Sequence, residues 1–166
     1  MGSVAVPTNG APATAAVAAA LAAHLRAGDV VLLKGDLGSG KTTFVKAVAA
    51  ALGSRAEVTS PTFTLAQFYP SGQVTILHID AYRLSGIHEY RDLGLEEYLA
   101  DSVTLVEWGD KIAEDFPGHL LVEFQHDASA PDLRVLTFRS EHPRWQPVIE
   151  AGQAGLLDAA QAGHGR

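Results

Sequence analysis

The stretch Gly35-Asp36-Leu37-Gly38-Ser39-Gly40-Lys41-Thr42 constrains the chain most, because it spells G-x-x-x-x-G-K-[ST] between an apolar run and a helical pattern. A polyphosphate packs several negative charges into a small space and needs donors closing on it from many sides. Backbone N–H groups supply them only where the chain curls tightly, which Gly38 and Gly40 allow because they lack a Cβ. Lys41 adds a mobile positive charge for β and γ oxygens, and Thr42 offers a hydroxyl suited to Mg²⁺. A helix beginning at this point directs its positive end at the anion. The flanks agree with that order. Asp29 to Lys34 reads as a buried strand, Phe44, Val45, Val48 and Leu52 recur at helical spacing, and Gly53 stands where a helix stops. A dinucleotide fingerprint fits worse, since its third glycine would fall at Thr43.

At 166 residues the chain is read as one domain over 1–139, with an irregular lead over 1–12 and a partly flexible extension over 140–166. The absence of cysteine excludes disulfides and thiolate metal sites and suits the cytosol, so a cytoplasmic location is expected. No apolar run approaches the length of a membrane span, and no membrane role is expected. The net charge of −7 argues against tight, sequence-blind binding to nucleic acid, so any such role is expected to pass through a partner.

Ala13 to Ala27 is an alanine-rich helical pattern with Val17, Leu21 and Leu25 as its buried stripe. Pro61 makes Val58 to Thr62 a loop rather than a strand centre. Phe63–Tyr69 and Gln73–Ile79 read as strands around a Pro70-Ser71-Gly72 turn, the second ending in Asp80. Short helical pieces follow over His88–Leu93 and Leu95–Leu99, then an apolar strand ending in Glu107-Trp108, and a helical Asp110–Phe116. Leu120, Val122 and Phe124 alternate with polar or outward positions, and Leu133–Arg139 returns as an antiparallel partner. The fold class is α/β, with a central sheet and an antiparallel portion at the C-terminal end.

Asp80 and Glu107 both stand at strand ends, where ligands of α/β sheets bind. In a P-loop protein one such acid holds Mg²⁺ while another orients water, and the residues alone leave the two roles open. Thr62 and Thr64 fall where nucleotide switches place a hydroxyl to sense the γ-phosphate, and Trp108 is placed to pack in the core or against a nucleotide. Tyr82 and Arg83 are further contact candidates. The seven histidines show no ligand spacing, which argues against zinc. A GTPase would carry Asp-x-x-Gly where this chain reads Asp80-Ala-Tyr-Arg83, and it would have an Asn-Lys-x-Asp clamp. A small-molecule kinase would need an arginine-bearing lid, for which Arg83 and Arg91 are thin support. An ATPase acting on a partner protein needs neither feature. A regulatory nucleotide-binding subunit that does not hydrolyse remains its rival.

Four blocks in order, Gly35 to Phe44, Ser60-Pro-Thr-Phe-Thr-Leu65, His78-Ile-Asp-Ala-Tyr-Arg-Leu84 and Val106-Glu-Trp108, closely resemble TsaE, the bacterial ATPase family of tRNA threonylcarbamoyladenosine biosynthesis. The resemblance runs from about residue 13 to 139. It implies a P-loop NTPase-like three-layer fold, with a central mixed sheet and a C-terminal antiparallel hairpin. It also implies ATP and Mg²⁺ as ligands, and a TsaB–TsaD partner pair that performs the transfer to adenosine, so that tRNA is met only indirectly. Carried over, Gly38, Ser39, Gly40, Lys41, Thr42 and Thr43 cradle the phosphates, Thr42 and Glu107 bind the metal, and Asp80 lies near the γ-phosphate or attacking water. Thr62 becomes the switch-like residue, Trp108 lines the nucleotide site, and Arg134 aligns loosely with a basic position near the nucleotide. Lys41, Asp80 and Glu107 are then the catalytic set. The chain departs from the family at Gly109, where proline commonly follows Val-Glu-Trp, and in residues 140–166, which carry no family motif.

Overall fold

A computed structural model describes residues 2–36, 38–61, 64–72, 74–127, 129–150, 155, 156, 158 and 159. Among these residues one mixed sheet of seven strands runs in the order β1-β7-β6-β2-β5-β4-β3. Its strands are β1 (Gly2–Asn9), β2 (Val30–Lys34), β3 (Ala66–Pro70), β4 (Thr75–Asp80), β5 (Ser102–Glu107), β6 (Leu120–Asp127) and β7 (Ala130–Ser140). The helices include α1 (Ala11–Ala22), α2 (Lys41–Ala51) and α3 (Ile87–Asp92), with 3-10 turns at Glu96–Asp101, Gly109–Asp115 and Pro143–Trp145, and residues 146–150 are also helical. Parallel pairing joins β4 to β5, β5 to β2 and β2 to β6, while β3, β7 and β1 pair antiparallel at the two sides. The β6–β7 pair is the expected C-terminal hairpin.

The layering follows from period two. Successive side chains of a strand point to opposite faces, so a strand buried on both sides must be apolar throughout. Val31 and Leu33 of β2 join the core beneath α1 and α2, with Phe44, Val45 and Val48. Val30 and Leu32 join the opposite core, with Leu77, Ile79, Tyr90 and Ile112. The same alternation puts His78, Asp80 and Glu107 on the α2 side, in step with Ile76 and with Val103 and Leu105. α2 ends as its glycine implies: Gly53 has φ 91°, and Ser54 N–H donates to Ala49 O at 2.9 Å.

Two expectations need correction. Residues 2–9 are not an irregular lead but strand β1, paired with β7 from Gly2↔Ser140 to Asn9↔Leu133. Val4 and Val6 face the core, and Pro7 is tolerated because β1 is an edge strand. The strand expected from Phe63 begins at Ala66, because Leu65 takes φ 67° and its N–H donates to Pro61 O at 2.7 Å.

Beyond Ser140 the chain packs back on the domain. Trp145 is fully buried, with Val148, Ile149 and Leu156 in the same core, and its indole N–H donates to Gly118 O at 2.8 Å. Arg144 donates to Asp29 at 2.8 Å and to His24 O at 2.6 Å. Among the described residues no helix is long and apolar enough to cross a membrane.

The second core carries an unpaid polar atom. The Tyr90 hydroxyl is buried without a hydrogen-bond partner among the described residues. Burial, with Asp115 and Glu96 adding, pushes it up from 10.0 to about 12. The fold therefore favours the neutral phenol, a contribution present below pH 10.0 and lost as pH rises through about 12. Tyr90→Phe should raise stability at neutral pH by about 1 kcal/mol, since an orphaned hydroxyl is removed. It should also flatten the alkaline loss, and urea unfolding at both pH values checks both effects.

Candidate active site

β2 ends at Lys34 and hands over to the glycine-rich loop, which turns back into α2. Gly38 (φ 77°) and Gly40 (φ 107°) take left-handed conformations that a side chain would oppose. At Gly35 a Cβ would come within 2.9 Å of Phe124 Cβ and 3.0 Å of Phe124 O, so the loop can start there only with glycine. α2 has no side-chain cap and no acidic residue in its first turn, leaving its N-terminal N–H groups for an anion. The Ser39 hydroxyl is buried and has no partner among the described residues, an uncommitted donor inside the loop.

Lys41 is 5% exposed. Its ammonium donates to Gly35 O and, at 2.9 Å, to Asp36 O, and lies 4.3 Å from the centre of the Trp108 ring. Burial lowers its pKa, and Glu107, Asp80, Asp36 and Asp110 oppose that shift. Parallel register sets Asp80 beside Glu107 at the ends of β4 and β5, each 4% exposed. Thr42 Oγ1–H donates to Glu107 Oε1 at 3.1 Å. Asp80 accepts from Ser60 Oγ at 3.2 Å and from Tyr82 N–H at 2.9 Å.

Trp108 holds φ 58°, uncommon for a bulky residue, and this turn swings its ring over the lysine and within 5.0 Å of the Tyr82 ring. The next residue explains the departure at Gly109. A Cβ there would lie 2.8 Å from Leu32 Cβ, so this backbone leaves no room for a proline ring.

Lys41, Thr42, Thr43, Asp80, Glu107 and Trp108 line one cleft of about 580 Å³, together with Gly38, Gly40, Ser60 and Tyr82. Behind the loop a smaller hollow of about 250 Å³ is lined by Gly38, Ser39, Gly40, Thr43 and Arg134, with Gly10, Ala11, Thr14 and Asp132. Arg134 donates to Gly38 O at 3.5 Å, which brings the hairpin cation to the loop. A hollow of about 700 Å³ between Lys34, Asp36 and the β6–β7 hairpin includes neither Lys41 nor Thr42 nor the strand-end acids Asp80 and Glu107, and its own ammonium, that of Lys34, is 3.5 Å from Glu123. Thr62 lies outside the described residues, and Thr64 sits in the turn before β3. Sequence reasoning missed Ser60, Thr14 and His78. Ser60 and His78 stood inside the quoted blocks, but what they touch depends on pairing between distant strands.

No group of three or more His, Asp or Glu among the described residues could hold a metal unaided. The donor set fits magnesium nonetheless: an adjacent hydroxyl and carboxylate supply hard oxygen ligands, and Mg²⁺ commonly takes few protein ligands, completing its shell with water and phosphate.

A mixed sheet with a parallel centre, a glycine-rich loop entering a helix, and paired acids at neighbouring strand ends define a P-loop protein. Residues 8–134 match the family model described as threonylcarbamoyl adenosine biosynthesis protein TsaE. The chain belongs to the TsaE family. It is 42% identical over 141 residues to the tRNA threonylcarbamoyladenosine biosynthesis protein TsaE of Streptomyces coelicolor, covering 81% of this chain and 95% of that one. With the Bacillus subtilis protein of the same name it shares 41% over 138 residues, 82% of this chain and 85% of the relative. The crystal structure of Bacillus subtilis YdiB superposes with a TM-score of 0.66 at 31% identity, covering 99% of this chain and 97% of that one.

Proposed function

We propose that this chain is the Mg²⁺-dependent ATP-hydrolysing subunit of tRNA threonylcarbamoyladenosine biosynthesis. In this reading it is cytoplasmic, acts on a TsaB–TsaD-type protein complex, and meets tRNA only through that complex. The observation that carries the chemistry is the convergence of Lys41, Thr42, Asp80 and Glu107 on one cleft at the mouth of the P-loop. The pathway rests on family membership and on the name its relatives bear.

The loop N–H groups and Lys41 bind and align the β and γ oxygens. Thr42 and Glu107 hold the metal, and Asp80, oriented by Ser60 and the Tyr82 N–H, accepts a hydrogen bond from the attacking water. Magnesium, when bound, spreads the charge developing on the phosphoryl oxygens. Trp108 and Tyr82, with ring centres 5.0 Å apart, wall the cleft. Arg134 and the hollow behind the loop receive the rest of the nucleotide. The whole is positioning and electrostatic stabilisation, with no covalent step on the protein.

Reconstituted modification tests this reading. The chain is combined with the partner pair, excess tRNA and preformed threonylcarbamoyl donor, with either ATP or a β,γ-non-hydrolysable analogue. ATP should sustain many rounds and the analogue no more than one. Sustained rounds with the analogue would leave a regulatory switch in place of an ATPase.

A further inference from the structure

His78 is fully buried, belongs to no part of the chemistry above, and touches the proposed metal ligand. Its Nε2–H donates to Glu107 Oε2 at 2.6 Å, because an ionised carboxylate can only accept. The other carboxylate oxygen takes the Thr42 hydroxyl. On its far side His78 Nδ1 lies 3.1 Å from the Tyr69 hydroxyl. That hydroxyl also stands 3.2 Å from Thr59 O and 2.6 Å from Gln67 Oε1. Thr59 adjoins Ser60, whose hydroxyl reaches Asp80. A line of polar contacts thus runs from Thr42 through Glu107, His78 and Tyr69 to the loop that orients the second acid.

We infer that His78 is a positioning residue: it holds Glu107 with Oε1 turned to the metal position beside Thr42, and through Tyr69 couples that orientation to the 58–61 loop. A free glutamate has three side-chain torsions to fix, and a buried one offered no second partner could turn Oε1 away from Thr42. The imidazole removes that freedom at the oxygen the metal does not use. Groups that orient a metal-binding side chain in this way commonly change metal affinity by about 10–100-fold when removed. The inference rests on the reading of Thr42 and Glu107 as magnesium ligands.

Calorimetric titration of ADP across a magnesium series, repeated in EDTA, separates the two. In wild type, magnesium should tighten ADP binding. If it has no effect there, the magnesium reading falls, and this inference with it. Given that effect, His78→Asn, whose amide reaches only the Nδ1 position, should raise the half-saturating magnesium concentration about 10-fold or more. Its ADP affinity in EDTA should stay at the wild-type value, which a general packing defect would not allow. His78→Gln, whose amide can reach the Nε2 position, should return the midpoint towards wild type. Tyr69→Phe removes one hydroxyl and should shift the midpoint in the same direction by less. A wild-type midpoint in His78→Asn overturns the inference. Should the histidine variants not fold, a wild-type midpoint in Tyr69→Phe overturns it instead.

Discussion

Lys41→Ala should bind ATP at least about 100-fold more weakly and lose measurable turnover, while remaining folded. The lysine is the only side-chain cation among the described residues that line the cleft of Asp80 and Glu107. Its hydrogen bonds to Gly35 O and Asp36 O hold it against the loop, where a phosphate oxygen would find it without a search. A charge-assisted hydrogen bond contributes about 1.5–3 kcal/mol, and two to a triphosphate give about 3–6 kcal/mol, or 100-fold and more. The fold should tolerate the loss, because burial already disfavours the ammonium enough to lower its pKa. Equilibrium dialysis with labelled ATP, phosphate release and a melting curve on one preparation decide it. Wild-type affinity and turnover would refute the assignment of Lys41.

Glu107→Gln should abolish the dependence of nucleotide binding on magnesium and cut turnover by about 100-fold or more, near 3 kcal/mol of transition-state stabilisation. The amide keeps the shape of the side chain, and its oxygen can still accept from His78 Nε2–H. The charge is lost, and the oxygen that accepts from Thr42 becomes an amide NH2 facing that hydroxyl. The fold sheds the cost of burying a carboxylate but gives up a counter-charge to the buried Lys41 ammonium, so the two effects oppose each other in stability. Glu107 is also the largest of the acids that raise the Lys41 pKa against burial, so removing its charge should lower that pKa further. Comparing ADP binding in magnesium and in EDTA for variant and wild type reads the first effect, and phosphate release the second. A magnesium effect of wild-type size in Glu107→Gln would hand the metal to Asp80.

What the sequence made legible was what neighbouring residues decide together. The loop needs its glycines at 38 and 40 whatever lies around it, and α2 shows its apolar spacing and its stop at Gly53 within a dozen or so positions. The acids at 80 and 107 could be placed at strand ends, but their adjacency is a matter of β4–β5 register across intervening helices. β1 was hidden for the same reason: Pro7 and the Asn9-Gly10 pair carry turn chemistry, and only β7, far along the chain, makes the segment a strand. Trp145 gave no periodic signal, because a single large ring filling a core site needs no repeat around it. His78 stood in the sequence without a role of its own, because only the β4–β5 register puts a carboxylate at its Nε2.

Calorimetric titration of ATP and ADP into well-folded wild-type protein with magnesium present bears most directly on the central claim. The curled loop, the Lys41 ammonium and the open end of α2 predict saturable heat at one site per chain, weakened when the metal is removed. No heat from either nucleotide would contradict that account, leaving a family fold without the phosphate grip ascribed to it.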